Sequence, residues 1–370
     1  MKHFLITLFL LLNLFNAISL SAHPLHFALF SPRDTQDAFW QPAEEFAKQT
    51  ALQLNIKLSI WHTKGSKVGM FKLLEKAQKN NVDAVIFPNV GKLALQMIKE
   101  AEQQKMPLLL LNADLRDDDI VLAGKPQQKY KYWLASLMPN DHQAGRLLGK
   151  HLIEQARDKN LVDKNGVVQI IAINGAIADT PAQQRLAGLQ KAIEEDGNSK
   201  LIRISYAYWL QKSAQYKAAH LAQRYPETSV FWTASDMMTI GVEKALAELG
   251  LIQGKDYLTG GVDWSREGLV AIKKNQMSTS VGGHFMDAAW AVIMLYDHFN
   301  GLPLNASSFY QFQSPMSLIS SADIDLLLPH LTLHDWKSIN FRLRSKTLNT
   351  QLQHYDFSSA SVLDELRKTQ

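Results

Sequence analysis

Short apolar runs alternate along this chain with longer stretches whose apolar positions recur at helical spacing. Phe27 to Phe30, Ile56 to Trp61, Ala84 to Phe87 and Leu108 to Leu111 are apolar through most of their length, as strands buried on both faces are. Between them, Asp37 to Leu54, Ser66 to Lys79 and Gly91 to Gln104 read as helices, the second carrying Val68, Phe71, Leu74 and Ala77 on one face. Pro107 closes the third helix and leads into its strand. The rhythm resumes with strands at Val167 to Ile173, Leu201 to Tyr206 and Val230 to Thr233. Helices are predicted at Pro181 to Glu194, Ala214 to Arg224 and Met237 to Leu249. Strand and helix thus alternate through two successive blocks, which predicts an α/β protein with two doubly wound, Rossmann-like parallel sheets.

The first 22 residues follow another pattern. Lys2 precedes an apolar run from Phe4 to Phe15, broken only by Thr7 and Asn13, and Ser19-Leu20-Ser21-Ala22 supplies small residues for cleavage. The run is shorter than the roughly 20 residues a spanning helix needs, so it reads as an export signal removed near Ala22. What remains, about 345 residues, suits two domains better than one. With no cysteine in the chain, neither a lipid anchor on a mature N-terminal Cys nor a disulfide is possible.

The formal net charge is +4 and the basic residues are dispersed, so nucleic-acid binding is not indicated. There is no Gly-x-Ser-x-Gly elbow, no His-Glu-x-x-His helix and no dinucleotide fingerprint, and the twelve His residues show no metal-ligand spacing. No enzyme activity, no cofactor and no metal is therefore expected.

In doubly wound sheets, ligands sit outside the carboxyl ends of the strands. The loops there carry Asp34, Phe39 and Trp40 after the first strand, Asn89 after the third, and Asn112 and Asp114 after the fourth. In the second half they carry Asn174 to Thr180, Trp209, Ser235-Asp236 and Asp263-Trp264. Polar planar groups and aromatic rings therefore gather where a ligand would lie.

Several segments, in this order and spacing, resemble type I periplasmic substrate-binding proteins, the family of the ribose and galactose binders. They are Val82 to Asn89, Met106 to Asn112, Asn140 to Gly145, Thr180 to Leu189, Ala234 to Gly241 and Gly260 to Trp264. The resemblance implies two lobes joined by a multi-strand hinge, with residues 23–138 and 284–314 in one, and 139–283 and 315–340 in the other. Residues 341–370 stand as a C-terminal extension. It also implies a periplasmic location and a sugar-like ligand in the interlobe cleft. A sugar ring offers polar edges and apolar faces. Phe39, Trp40, Trp209 and Trp264 are thus candidate platforms. Asp34, Asn89, Asn112, Asp114, Asp141, Gln183, Ser235, Asp236 and Asp263 are candidate hydrogen-bond partners, and His284, at the hinge, is a candidate lining residue. Asp236 has a second reading as a helix cap. Gln183 stands where these proteins often place a sugar-binding Arg, and Arg185 matches a second Arg that is usually structural. The resemblance implies a monomer whose partner is a membrane ABC importer, or alternatively a sensor kinase or other signalling receptor, in the manner of the autoinducer-2-binding protein. The extension is open to two readings, a docking surface or a tail folded over its own domain.

Overall fold

The computed structural model describes residues 24–304 and 311–369, and the expected export signal lies outside them. The first sheet runs β11-β5-β4-β3-β1-β2, with β1 (His26–Ser31), β2 (Lys57–His62), β3 (Ala84–Pro88), β4 (Leu108–Leu111), β5 (Trp133–Pro139) and β11 (Gln311–Ser314). All its pairings are parallel. The second runs β12-β10-β9-β8-β6-β7, with β6 (Val168–Asn174), β7 (Ser199–Tyr206), β8 (Val230–Thr233), β9 (Leu258–Asp263), β10 (Thr279–Gly282) and β12 (Ser317–Leu318). Only β12 is antiparallel among its described pairings. Two doubly wound lobes are therefore present. Central strands such as β1, β3 and β4 are buried along their whole length, whereas the edge strands β2 and β7 are half-exposed and correspondingly more polar.

The first lobe is covered by α1 (Trp40–Gln53), α2 (Lys67–Lys79), α3 (Ala94–Gln104) and α4 (Asp117–Ala123). The second is covered by α5 (Asp141–Asp158), α6 (Thr180–Asp196), α7 (Gln211–Arg224), α8 (Asp236–Glu248) and α9 (Arg266–Lys273). Many of these helices start on a polar cap at a strand's end. Ser66 Oγ accepts the Gly69 N–H at 3.0 Å, and Asn140 Oδ1 accepts that of Gln143 at 3.1 Å. The helix α6 carries Pro181 in its first turn, where a missing N–H costs nothing. Close approach of α5 and α6 rests on two glycines: a Cβ at Gly145 would lie 1.9 Å from the Arg185 carbonyl oxygen, and one at Gly188 2.0 Å from that of His142. That contact brings Arg185 against the start of α5.

The chain crosses between the sheets three times: after β5, after β10, and between β11 and β12. The second crossing enters α10 (Asp287–Phe299), nearly all buried in the first lobe's core. Beyond β12, α11 (Ser321–Leu333), the turn at Phe341–Arg344 and α12 (Ser359–Lys368) fold back on that same core. Trp336 and Phe341 each pack edge-on to Phe46 at 4.9 Å, and Phe357 stacks on Trp290 at 5.1 Å. Asp297 of α10 pins the segment, accepting from Ser345 Oγ at 2.5 Å, Tyr355 Oη at 2.8 Å, and the Lys346 and Thr347 N–H groups. This placement differs from the sequence reading, which ended the second lobe at residue 340. From Trp336 onward the buried aromatic side chains find their partners in the first lobe, whereas α11 also lies against α9 of the second, where Lys273 pairs with Asp325 at 2.5 Å.

Candidate functional site

Between the lobes lies a cavity of about 240 Å³. The first lobe contributes Arg33, Asp37, Phe39 and Trp40 after β1, Asn89 after β3 and Asn112 after β4. From the second come Asp179, Arg185, Trp209, Ser235 and Asp263, and His284 stands at the second crossover.

Arg185 is the hub. Its Nε donates to Asp141 Oδ1 at 2.7 Å, one terminal nitrogen donates to the Ala234 carbonyl at 2.7 Å, and the other reaches His284 Nε2 at 3.2 Å. Asp263 Oδ1 lies 3.5 Å from the guanidinium, and the Trp209 ring centre 5.8 Å from its carbon. Burial works against the guanidinium charge, but Asp141 and Asp263 outweigh it and hold the pKa above its ordinary value. Burial pushes the Asp263 carboxyl well above the usual carboxylate range; Arg185 opposes the shift, and Asp236 and Asp37 add to it. Burial, aided by Arg185, holds His284 well below the ordinary imidazole range, so its ring is neutral. An arginine only donates, so Nε2 accepts and the proton sits on Nδ1. That Nδ1 has no hydrogen-bond partner among the described residues, nor has Asn112 Oδ1. Phe39 stacks on His284 at 4.7 Å.

Three non-glycine lining residues hold positive φ, namely Asn112 at 65°, Trp209 at 65° and Asp263 at 143°. Backbone of this kind costs about 1–3 kcal/mol per residue and persists only where its surroundings fix it. The Trp209 loop is fixed in part by its indole N–H, which donates to Asp179 Oδ2 at 2.8 Å.

Eight of the sequence-derived candidates line the cavity: Phe39, Trp40, Asn89, Asn112, Trp209, Ser235, Asp263 and His284. Two of these are also committed elsewhere. Asn89 Oδ1 takes the Ala94 N–H at 3.0 Å while its amide donates to the Asp114 carbonyl at 2.6 Å, and Ser235 caps α8. The other six candidates lie outside the lining. Asp34 is exposed and closes its own turn by accepting from the Gln36 N–H. Gln183 is exposed and donates to the Ile177 carbonyl. Asp114 spans the lobes beside the cavity, its N–H donating to Thr180 Oγ1 at 3.0 Å. Asp141 stands behind Arg185, as its ion-pair partner.

Trp264 is a core residue, 1% exposed, its indole N–H donating to the Ser280 carbonyl at 3.2 Å. Asp236 is fully buried and does not cap α8, which is Ser235's role. Burial pushes its carboxyl up to about 6, against the pull of Ser280, Ser265 and Arg185.

Among the lining residues not picked out as ligands, Asp37 and Asp179 lie in the very loops singled out. Arg185 was read as structural, and it both pairs with Asp141 and faces the cavity.

This chain belongs to the family described as the periplasmic binding protein domain, whose model it matches over residues 27–302. Among relatives, it is 24% identical over 247 residues to the galactofuranose-binding protein YtfQ of Escherichia coli (strain K12), covering 65% of this chain and 72% of that one. It is 23% identical over 248 residues to the D-allose-binding periplasmic protein of the same strain, covering 66% and 74%. In fold it is similar to a periplasmic sugar-binding protein from Pseudomonas fluorescens, with a TM-score of 0.78 at 23% identity over 91% of this chain and 99% of that one. A galactofuranose binding protein gives a TM-score of 0.70 at 19% identity over 84% and 99%.

Proposed function

We propose that this chain is an exported solute-binding protein that takes one neutral sugar, with furanoses and D-allose as the first candidates, into the interlobe cavity and presents it to an ABC importer. The observation that carries this reading is the cavity's composition. Phe39 and Trp40 from one lobe and Trp209 from the other offer flat apolar faces, while Arg185, Asp263 and His284 offer a buried polar edge. That edge is internally neutralised, since Arg185 faces two carboxyls and His284 is uncharged. It therefore suits hydroxyl groups better than an ionised ligand, and binding better than chemistry. The unpaired Asn112 Oδ1 and His284 Nδ1 are an acceptor and a donor that hydroxyls of a bound sugar would satisfy. The galactofuranose and D-allose named for two relatives point to the same ligand class.

In this reading the lobes comprise residues 24–139 with 284–314 and 140–283 with 315–320, the segment from Ser321 packs on the first lobe and, through α11, on α9 of the second, and residues 1–22 direct export. The C-terminal segment buries its aromatic side chains in its own lobe, which favours delivery to an importer over a dedicated signalling surface.

The test is a thermal-shift screen of refolded, ligand-stripped protein against methyl β-D-galactofuranoside, L-arabinose, D-allose, D-ribose and myo-inositol. A bound ligand at a hundredfold excess over its dissociation constant adds about 2.7 kcal/mol of stability. A shift with one sugar class is expected; no shift with any member would sink the reading.

A further inference from the structure

Asp236 was a ligand candidate in the sequence, yet it lies outside the cavity wall with its carboxylate fully engaged. Oδ2 accepts from the Ser265 N–H at 2.9 Å and from Ser265 Oγ at 3.0 Å, and Oδ1 accepts from Ser280 Oγ at 2.7 Å. Space for this carboxylate depends on two glycines. A Cβ at Gly261 would lie 2.7 Å from Oδ1, and one at Gly268 2.4 Å from Oδ2.

The groups it holds bracket one turn. Ser265 follows Asp263-Trp264 directly, and Ser280 of β10 receives the Trp264 N–H on its hydroxyl and the indole N–H on its carbonyl, both at 3.2 Å. That turn is strained, with φ of 143° at Asp263 and 59° at Trp264, neither of them glycine. The backbone N–H of Asp236 also bonds the Asp263 carboxylate.

We propose that Asp236 is a positioning residue, which pins the Asp263-Trp264 turn through Ser265 and Ser280, keeps Asp263 facing the cavity, and so sets ligand affinity without touching ligand. The affinity part rests on the sugar-binding reading above; the pinning part does not. Asp236 thereby ties the ends of β9 and β10 together, and β10 runs on through Gly283 to His284.

The experiment uses the full chain and D-allose or methyl β-D-galactofuranoside, whichever the wild type binds more tightly. Asp236→Asn keeps the shape but places an amide where one of the accepting oxygens was. Affinity is expected to fall about tenfold, the equivalent of one charge-assisted hydrogen bond. In an Asp263→Asn background the same change should alter affinity by less than about twofold, because the residue it acts through is already impaired. Equal losses in both backgrounds would overturn the proposal and leave Asp236 a general stability residue. Ser280→Ala, which deletes a single donor, replaces Asp236→Asn in the same cycle if the latter fails to fold.

A ligand-free readout runs beside it. Amide hydrogen exchange at Trp264 and Ser265 should be at least about tenfold faster in the variant, with distant amides unchanged. Unchanged exchange at the turn would overturn the proposal as well. Should neither sugar bind the wild type, the sugar-binding reading fails and the exchange result alone decides the pin.

Discussion

Asp263 and Trp264 are neighbours in one turn and do opposite things. Asp263 faces the cavity, near Arg185 on one side and near Asp37 and Asp236 on the other. Asp263→Ala is therefore expected to abolish the ligand-induced rise in melting temperature while leaving the ligand-free midpoint unchanged or higher, because it removes a buried carboxyl facing two others. Calorimetry with and without ligand checks this, and a ligand-free midpoint several degrees lower would refute it. Trp264→Ala should instead behave as a core truncation, costing about 3–5 kcal/mol in a denaturant titration. A variant of normal stability and weakened binding would return Trp264 to the site. The sequence placed both residues at the end of a strand facing the cleft, which is correct for the loop. Which side chain points out depends on the φ values of the turn and on Ser280, sixteen residues away, and neither leaves a local pattern. Phe39, Asn112 and Trp209 were legible for the complementary reason: strand ends in this topology converge on one crevice whatever the details of their side chains.

At the scale of elements, α8 and β9 share a half-buried carboxylate that the site does not use. Glu243 of α8 accepts from Tyr257 Oη at 2.8 Å and from Thr259 Oγ1, and burial pushes its pKa up to about 7 against both of those bonds. Its folded value thus lies above its unfolded value. The native state holds the proton more tightly, so this contribution to stability is complete below about pH 4.5 and is lost as pH rises through about 7. Glu243→Gln should accordingly lose about 3 kcal/mol less stability than wild type between pH 4.5 and pH 8. Urea unfolding at a series of pH values measures it, and parallel curves would contradict it. The strands and helices of both lobes were readable from periodicity because each buries a continuous face against its own sheet. The C-terminal segment was not. Trp336, Phe341 and Phe357 are buried by Phe46 and Trp290, partners from distant parts of the chain, and an isolated aromatic in a polar stretch looks the same whether it meets solvent or a core.

For the whole molecule, ligand-driven closure requires contacts that exist only when the lobes are together. One such contact outside the cavity lining is the Asp114 N–H to Thr180 Oγ1 bond, from the β4 loop to the start of α6. Thr180→Val is expected to shift the ligand-free protein toward open forms, raising the radius of gyration seen by X-ray scattering and weakening ligand binding about threefold to tenfold. An unchanged radius together with unchanged affinity would mean that this bond does not govern the lobes. The threefold crossing of the chain has a different consequence, for assembly. The second lobe draws its parallel strands β6 to β10 from one uninterrupted stretch, whereas the first lobe lacks β11, α10 and the aromatic segment after Ser321 until almost the whole chain is present. The lobe that begins the sequence must therefore be the last to mature, and pulse-labelled refolding should find β6 to β9 protected before β1. Were the chain threaded unfolded across a membrane, as the export reading proposes, a leading half unable to finish on its own would be an advantage built into the topology.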